Sequence, residues 1–474
     1  MSSTSALNTL LASTSSSSSI DLSQILQAAT GASSAGIDVT SAVSAAVTAA
    51  QAPETAWENQ QATLQSQATA LTQIQSDTTN LDNDVQALNS LTGPLSARTV
   101  SSSDSTIVSA SAASGSAVAN HSVVVNSLAS TASWASDTVA SATTPLGAGS
   151  FTITDASGKT TTISTGTGAS TLSNVASTIN NDNLGVTASV ITDANGARLA
   201  IVSNTSGSAA NFSVAPVAGG LTFSQATNGA NASLTVDGIS IASASNTVTG
   251  ALPGVTLNLL NASPGTNVNL AIAPDTTQAS TAINQFVTDY NAAIADLKTQ
   301  FTFTGTSEGV LATDSAVRSL QSTLEGALDY TYTPASGTTT VSNLSSLGIS
   351  VNNDGTLTVN SATLTSALQN NFSDVQNFFQ GVSFDGFANS MDQQLTSFIS
   401  PADGAFTVDL SSINTEYNGL QTDISNFETN YIAPLKTKLT SEYSSAEILL
   451  QQLPTEMQQI NTELGLNNNS SSGG

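Results

Sequence analysis

The stretch GAGSFTITDASGKTTTISTGTGASTLSNVASTINNDNLGVTASVITDANGARLAIVSN, Gly147–Asn204, decides how the chain is put together. Two alternating runs flank a polar turn at Asp155–Gly158. Leu172, Val175 and Ile179 then recur at helical spacing, and two further alternating runs meet at Asp193–Gly196. Alternation puts side chains on opposite faces of a strand, whereas a three-to-four-residue recurrence gathers them on one side of a helix. The spacing therefore predicts a hairpin, a short helix and a second hairpin, a β-β-α-β-β unit spanning residues 143–221.

Outward from this unit the chain is still β-rich. From RTVSSSDSTIVSASAA at Arg98 to NVNLAIAP ending at Pro274, short alternating runs are punctuated by Gly, Asn and Asp, with a turn signal at Val236–Gly238. Such punctuation marks antiparallel structure. Residues 96–142 and 222–275 thus form one β domain, and the first unit is inserted into it.

Helical periodicity returns on both sides. After Pro274 the residues Ile283, Phe286, Val287, Tyr290, Ile294 and Leu297 share one helix face, and Asp314 is placed to cap a following helix. LGISVNNDGTLTVN reads as a hairpin and SATLTSALQNNFSDVQNFFQG as helix, so residues 276–400 make a helical domain carrying one hairpin. Before the β region, Trp57, Leu64, Leu71, Thr78 and Val85 occupy one heptad position, and Gln60, Gln67, Ile74, Leu81 and Leu88 another. This is a narrow coiled-coil-like seam within residues 36–95, with polar flanks that cannot hold a helix alone in water. Residues 401–474 carry its counterpart. Leu410, Ile413, Tyr417, Leu420, Ile424, Phe427 and Tyr431 alternate three and four, Leu435, Leu439 and Tyr443 run four and four, and Leu450, Leu453, Met457, Ile460 and Leu464 resume. The stutter, with Pro434 inside it, predicts a local unwinding or kink, and Pro454 a second weak point.

Composition excludes several functions. Only 8% of residues are charged, and 33 acids face 7 scattered bases, a net charge of −26. Phosphate backbones and anionic lipid repel such a surface, which argues against nucleic-acid and membrane binding. With no cysteine there is no disulfide, thiolate metal site or thiol nucleophile. No apolar run is long enough to span a membrane, and the N-terminus lacks the basic and apolar regions of a cleavable signal. Two readings stay open from composition: a cytosolic protein, or one whose disordered Ser/Thr-rich head, residues 1–35, is an uncleaved export address.

No motif carries catalysis. His121 is the only histidine and opens a strand, where a structural role is the ordinary one. Asn352–Leu364 resembles a calcium loop only at Asp354 and Gly355 and lacks the acidic ligands that follow, so a hairpin turn fits better. GTGAS before a helix lacks the lysine of a phosphate-binding loop. No cofactor is expected. Trp57 and Trp134 read as core or interface, with interface favoured for Trp57 because its seam is unfinished.

Several pieces, in order, carry a family resemblance: GIDVTSAVSAAVTAAQAPE, LTGPLSARTVSSSDSTIVSASA, HSVVVNSLASTASWAS, the inserted unit, LTVDGISIASASNTVTGALPGVTLNLL, INQFVTDYNAAIADLK and LSSLGISVNNDGTLTVNSATLTSAL. From about residue 36 onward the chain resembles the bacterial flagellar filament cap proteins, the flagellar hook-associated protein 2 family. The resemblance implies an α+β multidomain fold: long N- and C-terminal coiled-coil-like helices, a helical leg domain, and nested, mainly antiparallel β head domains. It implies a secreted protein at the distal filament tip, with no catalytic step. The protein would assemble as a homo-oligomeric ring, a pentamer or a ring of nearby size, that retains exported flagellin and promotes its polymerisation. The partners implied are further copies of the chain, flagellin, the flagellar export machinery and an export chaperone, with no nucleic acid and no membrane insertion. The residues expected to meet other subunits or flagellin are Trp57, Leu64, Leu71, Ile74, Leu81, Val85, Leu88, Leu410, Ile413, Tyr417, Leu420, Ile424, Phe427, Leu450, Leu453 and Ile460. A filament or junction subunit, a surface adhesin and a glycan-cleaving enzyme are the alternatives. The last needs a carboxylate pair that the sequence does not single out.

Overall fold

A computed structural model describes residues 38–463, except 167–169, 304, 306–307, 335–336 and 384. The proposed export head (1–35), Leu464 and the rest of the C-terminal tail, and the centre of GTGAS lie outside the described residues. Two compact units result: Met1–Thr78, Ala295–Ser322 and Thr396–Gly474 form one, and Thr79–Ile294 with Thr323–Leu395 the other. Each is assembled from segments distant in sequence, as nesting requires.

In chain order, helices α1 (Val39–Ala50) and α2 (Ala52–Asn89) come first. Strands β1 (Arg98–Ser102), β2 (Val108–Ala112), β3 (Ala119–Ser127), β4 (Thr131–Ser136), β5 (Ser150–Thr154) and β6 (Thr160–Ser164) follow, then α3 (Leu172–Asn181). Strands β7 (Val186–Asp193), β8 (Gly196–Ser206), β9 (Ser213–Ala218), β10 (Phe223–Thr227), β11 (Ala232–Val236), β12 (Ile239–Ser243), β13 (Thr247–Leu252), β14 (Val255–Leu259) and β15 (Val268–Pro274) complete the β region. Helices α4 (Thr276–Phe301) and α5 (Ser315–Ala327), the hairpin β16 (Ile349–Val351) and β17 (Leu357–Val359), and helices α6 (Ser361–Asn370), α7 (Phe372–Gln380), α8 (Phe387–Ile399), α9 (Ala405–Phe427) and α10 (Ala433–Glu463) close the chain. The fold is therefore α+β, with long terminal helices, a helical region and nested antiparallel sheets.

The β region of the second unit holds two cores. Sheet β1-β15-β3-β11-β12 and sheet β13-β14-β2 enclose Val108, Val123, Val125, Leu234, Leu257 and Leu270. The alternation read from sequence is visible in β14, whose Val255, Leu257 and Leu259 are buried while the residues between them are not. Strand β11 turns into β12 at Asp237 and Gly238, both at positive φ (49° and 81°), the conformation that a two-residue hairpin turn demands. His121 on β3 hydrogen-bonds this turn, its Nδ1 lying 2.7 Å from Asp237 Oδ2. That contact, then the Ser122 amide, holds the Asp237 carboxyl below the usual range. The lone histidine is thus tied to a turn.

The inserted unit forms the second core. Hairpins β5–β6 and β7–β8 flank α3, whose Thr171 and Asn174 make a reciprocal capping box and whose Leu172, Val175 and Ile179 are buried. The two hairpins do not share a sheet: β6-β5-β9 is one and β10-β4-β8-β7 the other. Strands β4 and β10 lie within the stretches 96–142 and 222–275 assigned from sequence to the outer β domain, yet they pair with β8 and with each other. The reason is packing: Ala132 on β4 is buried in this core, and Trp134 and Phe223 pack against it. Trp134 is anchored by its indole N–H, which donates to Phe212 O at 2.8 Å. Gly196, at φ 129°, starts β8 with its Cα facing the Val139 carbonyl, where a Cβ would come within 2.3 Å of that oxygen.

The helical part of the second unit closes over aromatic rings. Phe286, Phe378, Phe379 and Phe387 are buried, and the rings of Phe378 and Phe387 stack with centroids 5.5 Å apart. The segment read as one helix from Ser361 to Gly381 is two, because Asn371 (φ −136°) leaves helical geometry between α6 and α7. Hairpin β16–β17 turns through Gly355 at φ 81°, with Asp354 Oδ1 accepting from Thr356 N. Asp354 is thus part of an Asx-type turn.

Candidate functional site

In the first unit, α2 as far as Thr78 runs antiparallel to α9. Gln51 Nε2 donates to Glu428 Oε1 at 2.8 Å, Gln60 Nε2 to Glu416 Oε1 at 2.8 Å, and Gln61 Nε2 to Tyr417 O at 3.2 Å. Between these amide contacts Trp57 meets Phe427 edge-on with centroids 5.4 Å apart, and Phe427 stacks on Tyr431 at 5.1 Å. Helix α1 is started by Asp38, whose Oδ1 accepts from Ser41 N at 3.1 Å, and it buries Ala42, Val43 and Ala46. A groove beside it is lined by Val43 and Val47 on one wall and by Lys436 and Thr440 of α10 on the other. A second cleft, lined by Gln67, Leu311, Asp314, Asp409 and Ile413, sets two carboxyls together. Burial, then Asp314, raises the Asp409 carboxyl, while Asp314 itself caps α5 by accepting from Val317 N at 2.9 Å.

The C-terminal helix changes winding where the sequence stutters. Residues Glu428–Ile432 form a π turn, in which Ala433 N reaches back to Glu428 O. Pro434 explains it. Without an N–H, proline cannot bond the carbonyl of Asn430, and its ring would crowd that carbonyl in a regular helix. The wider turn makes room. Pro454 lies inside α10 and the helix continues through it.

The residues expected to meet partners fall into three groups. Leu64, Leu71 and Ile74, in the first unit, and Leu81, Val85 and Leu88, in the second, are each buried in the chain's own core. Trp57, Leu410, Ile413, Tyr417, Leu420, Ile424 and Phe427 are half-buried. Leu450, Leu453 and Ile460 are open to solvent. Ile448, Leu449 and Met457 join them, giving an apolar row on α10 that is 41–62% exposed. Ile448 and Leu449 were missed because they break the three-four spacing. A charged or small residue would normally stand at such open positions, and that departure is their only sequence signal.

Among the described residues no group of three or more His, Asp or Glu side chains converges to hold a metal ion, and no helix is long and apolar enough to cross a membrane.

Family models for the flagellar hook-associated protein 2 N-terminus and C-terminus match residues 35–132 and 229–455. The chain is 26% identical over 443 residues to the B-type flagellar hook-associated protein 2 of Pseudomonas aeruginosa, covering 86% of this chain and 92% of that protein. Its fold is similar to the crystal structure of the flagellar cap protein FliD D1-D2-D3 domains from Escherichia coli, with a TM-score of 0.59 and 27% identity, over 73% of this chain and 99% of that one.

Proposed function

Since the chain belongs to the flagellar hook-associated protein 2 family, we propose that it caps the growing flagellar filament, as a homo-oligomeric ring at the distal tip that retains exported flagellin and promotes its polymerisation. The observation that carries this reading is the open apolar row on α10, Ile448 to Ile460, at the end of a helix otherwise packed within its own unit. A lone soluble chain gains nothing from such a row, whereas a subunit that packs against other helices does. The half-buried Leu410, Ile413, Tyr417, Leu420, Ile424 and Phe427, on the helix that meets Trp57, would supply further contacts. The paired β cores, rich in Ser and Thr and poor in charge, would form the plate of the ring and residues 276–400 its legs.

The mechanism is steric. A ring that blocks free diffusion at the channel exit raises the local concentration of arriving subunits and offers them one vacant position at a time, so binding geometry replaces covalent chemistry. The test is made in cells lacking the gene, comparing flagellin in the medium with flagellin in filaments before and after the intact chain is restored. Flagellin that is lost to the medium without the protein and returns to filaments with it is the expected result. Filaments of unchanged length and yield in the deleted strain would overturn the proposal.

A further inference from the structure

Four acidic side chains of α2 meet another acid on a neighbouring element, where a base would be the ordinary partner. Glu54 faces Glu428 of the π turn, Asp77 faces Asp296 of α4, Asp82 faces Asp392 of α8, and Asp84 faces Asp289 of α4. Each meeting has a glutamine amide one turn away. Gln86 Nε2 donates to Asp82 Oδ2 at 2.8 Å and to Asp392 Oδ1 at 3.0 Å, so one amide holds both carboxyls together. Gln73 Nε2 lies 3.2 Å from each oxygen of Asp77, Gln285 Nε2 lies 3.0 Å from Asp289 Oδ2, and Gln51 reaches Glu428.

The remaining oxygens show what is missing. Glu54 Oε2, Asp82 Oδ1 and Asp84 Oδ2 are buried and accept no hydrogen bond from any donor among the described residues. A buried carboxylate oxygen with no donor, facing a second carboxylate, is costly twice over, through lost solvation and through repulsion. One proton placed between the two groups removes both costs, since it supplies the absent donor and cancels one charge. We propose that the three pairs with such an oxygen, Glu54–Glu428, Asp82–Asp392 and Asp84–Asp289, each share one proton, and that α2 is consequently held to its neighbours by links that tighten in mild acid and loosen as the solution becomes alkaline.

The electrostatic surroundings agree. Burial first, then the facing carboxyl, pushes Asp82 up to about 6, Asp84 to about 7 and Asp296 to about 6, and raises Glu54 as well. The groups that act on them are Asp392 with Gln86, Asp289, Asp77 with Gln73, and Glu428 with Gln51 and Glu58, with no cation in any set. An acid whose folded value is raised binds more protons folded than unfolded between the ordinary carboxylate range and that raised value. Its stabilising effect is complete below about pH 4 and is lost as pH climbs through about 6 to 7. This is opposite in sign to the ordinary salt-bridged aspartate.

The test is thermal melting of the full chain, followed by circular dichroism from about pH 5.5 to about pH 8.5 at constant ionic strength. The melting temperature of the unaltered chain is expected to fall by several degrees over this range. In Asp82→Asn and Asp84→Asn, together and singly, the amide supplies a permanent donor, so the fall should be smaller and the variant should melt above the unaltered chain at the alkaline end. Equal slopes in variant and parent would overturn the proposal, as would a flat parent. Recovery of the alkaline melting temperature on adding calcium or magnesium chloride would overturn it too, by showing that a cation joins the carboxyls. If the double variant fails to fold, Asp392→Asn, changed from the other side of the first pair, carries the same comparison.

Discussion

Gln380 on α7 is only 4% exposed, and its amide closes the end of α2. Its Nε2 donates to Leu88 O at 3.2 Å and Ser90 O at 3.1 Å, while its Oε1 accepts from Gln376 at 3.0 Å. A helix leaves its last four carbonyls without intrahelical donors, and here a side chain 292 positions away in sequence supplies one. Gln380→Leu keeps the volume and removes the donor. Ser90 O retains the Gly93 amide at 3.0 Å, so the main loss falls on Leu88 O. An unsatisfied buried carbonyl costs about 1–3 kcal/mol, which is roughly one to two orders of magnitude in a local opening equilibrium. The assay is hydrogen exchange with mass spectrometry, comparing peptides over residues 80–96 with peptides from β7 and β8 as an internal reference. Protection at 80–96 should drop by that factor while the reference stays unchanged. Protection within a factor of two of the parent at 80–96 would refute the reasoning, since it would mean that water or a shifted backbone replaces the amide at no cost.

Two further outcomes follow from packing. Phe387→Ala removes a ring whose centroid lies within 6 Å of Phe286 (5.7 Å), Phe378 (5.5 Å), Phe379 (5.9 Å) and Tyr330 (5.9 Å). It should cost about 3–5 kcal/mol in urea unfolding monitored by near-ultraviolet circular dichroism, and a loss below about 1 kcal/mol would show that the cluster repacks. Leu453→Glu with Met457→Glu, both at exposed positions, should leave melting unchanged and abolish the restoration of filament growth in deleted cells. Normal filaments from that variant would remove the α10 row from the assembly surface.

Periodicity made the layers legible. The β-β-α-β-β order, the return of helices after Pro274 and the two terminal seams each follow from spacing over ten or more residues, where local pattern and tertiary burial agree. What spacing hides is which surface covers an apolar face. Leu71 and Leu450 lie in seams of the same kind, yet one is fully buried and the other 41% exposed, because only the first meets enough of its own chain. The assignment of β4 and β10 to the second core is hidden for a similar reason: a strand's neighbour depends on which face finds apolar cover, and neither strand announces it locally. The carboxyl pairs were the least legible feature. Asp82 and Asp392 stand 310 positions apart by their numbers, and nothing in either neighbourhood signals a meeting with another acid. The break at Asn371 was within reach, since consecutive asparagines at 370 and 371 are a turn signal that the apolar spacing on either side obscured.

The π turn at Glu428–Ile432 has a consequence for how this helix tolerates changes in length. A π turn holds one more residue than an α turn, so the chain beyond it is one position out of phase with an unbroken helix while its faces stay aligned. Removing one residue within 428–432 would turn the π segment into ordinary helix and leave the row from Ile448 to Ile460 pointing where it does now, at a cost of about 3 kcal/mol because Pro434 would then lose the room that the wider turn gives it. Removing one residue beyond it, within α10, would swing everything downstream by about 100° and point that row elsewhere. The turn is thus a phase reserve, a place where a single codon can be lost without redirecting the surface beyond it.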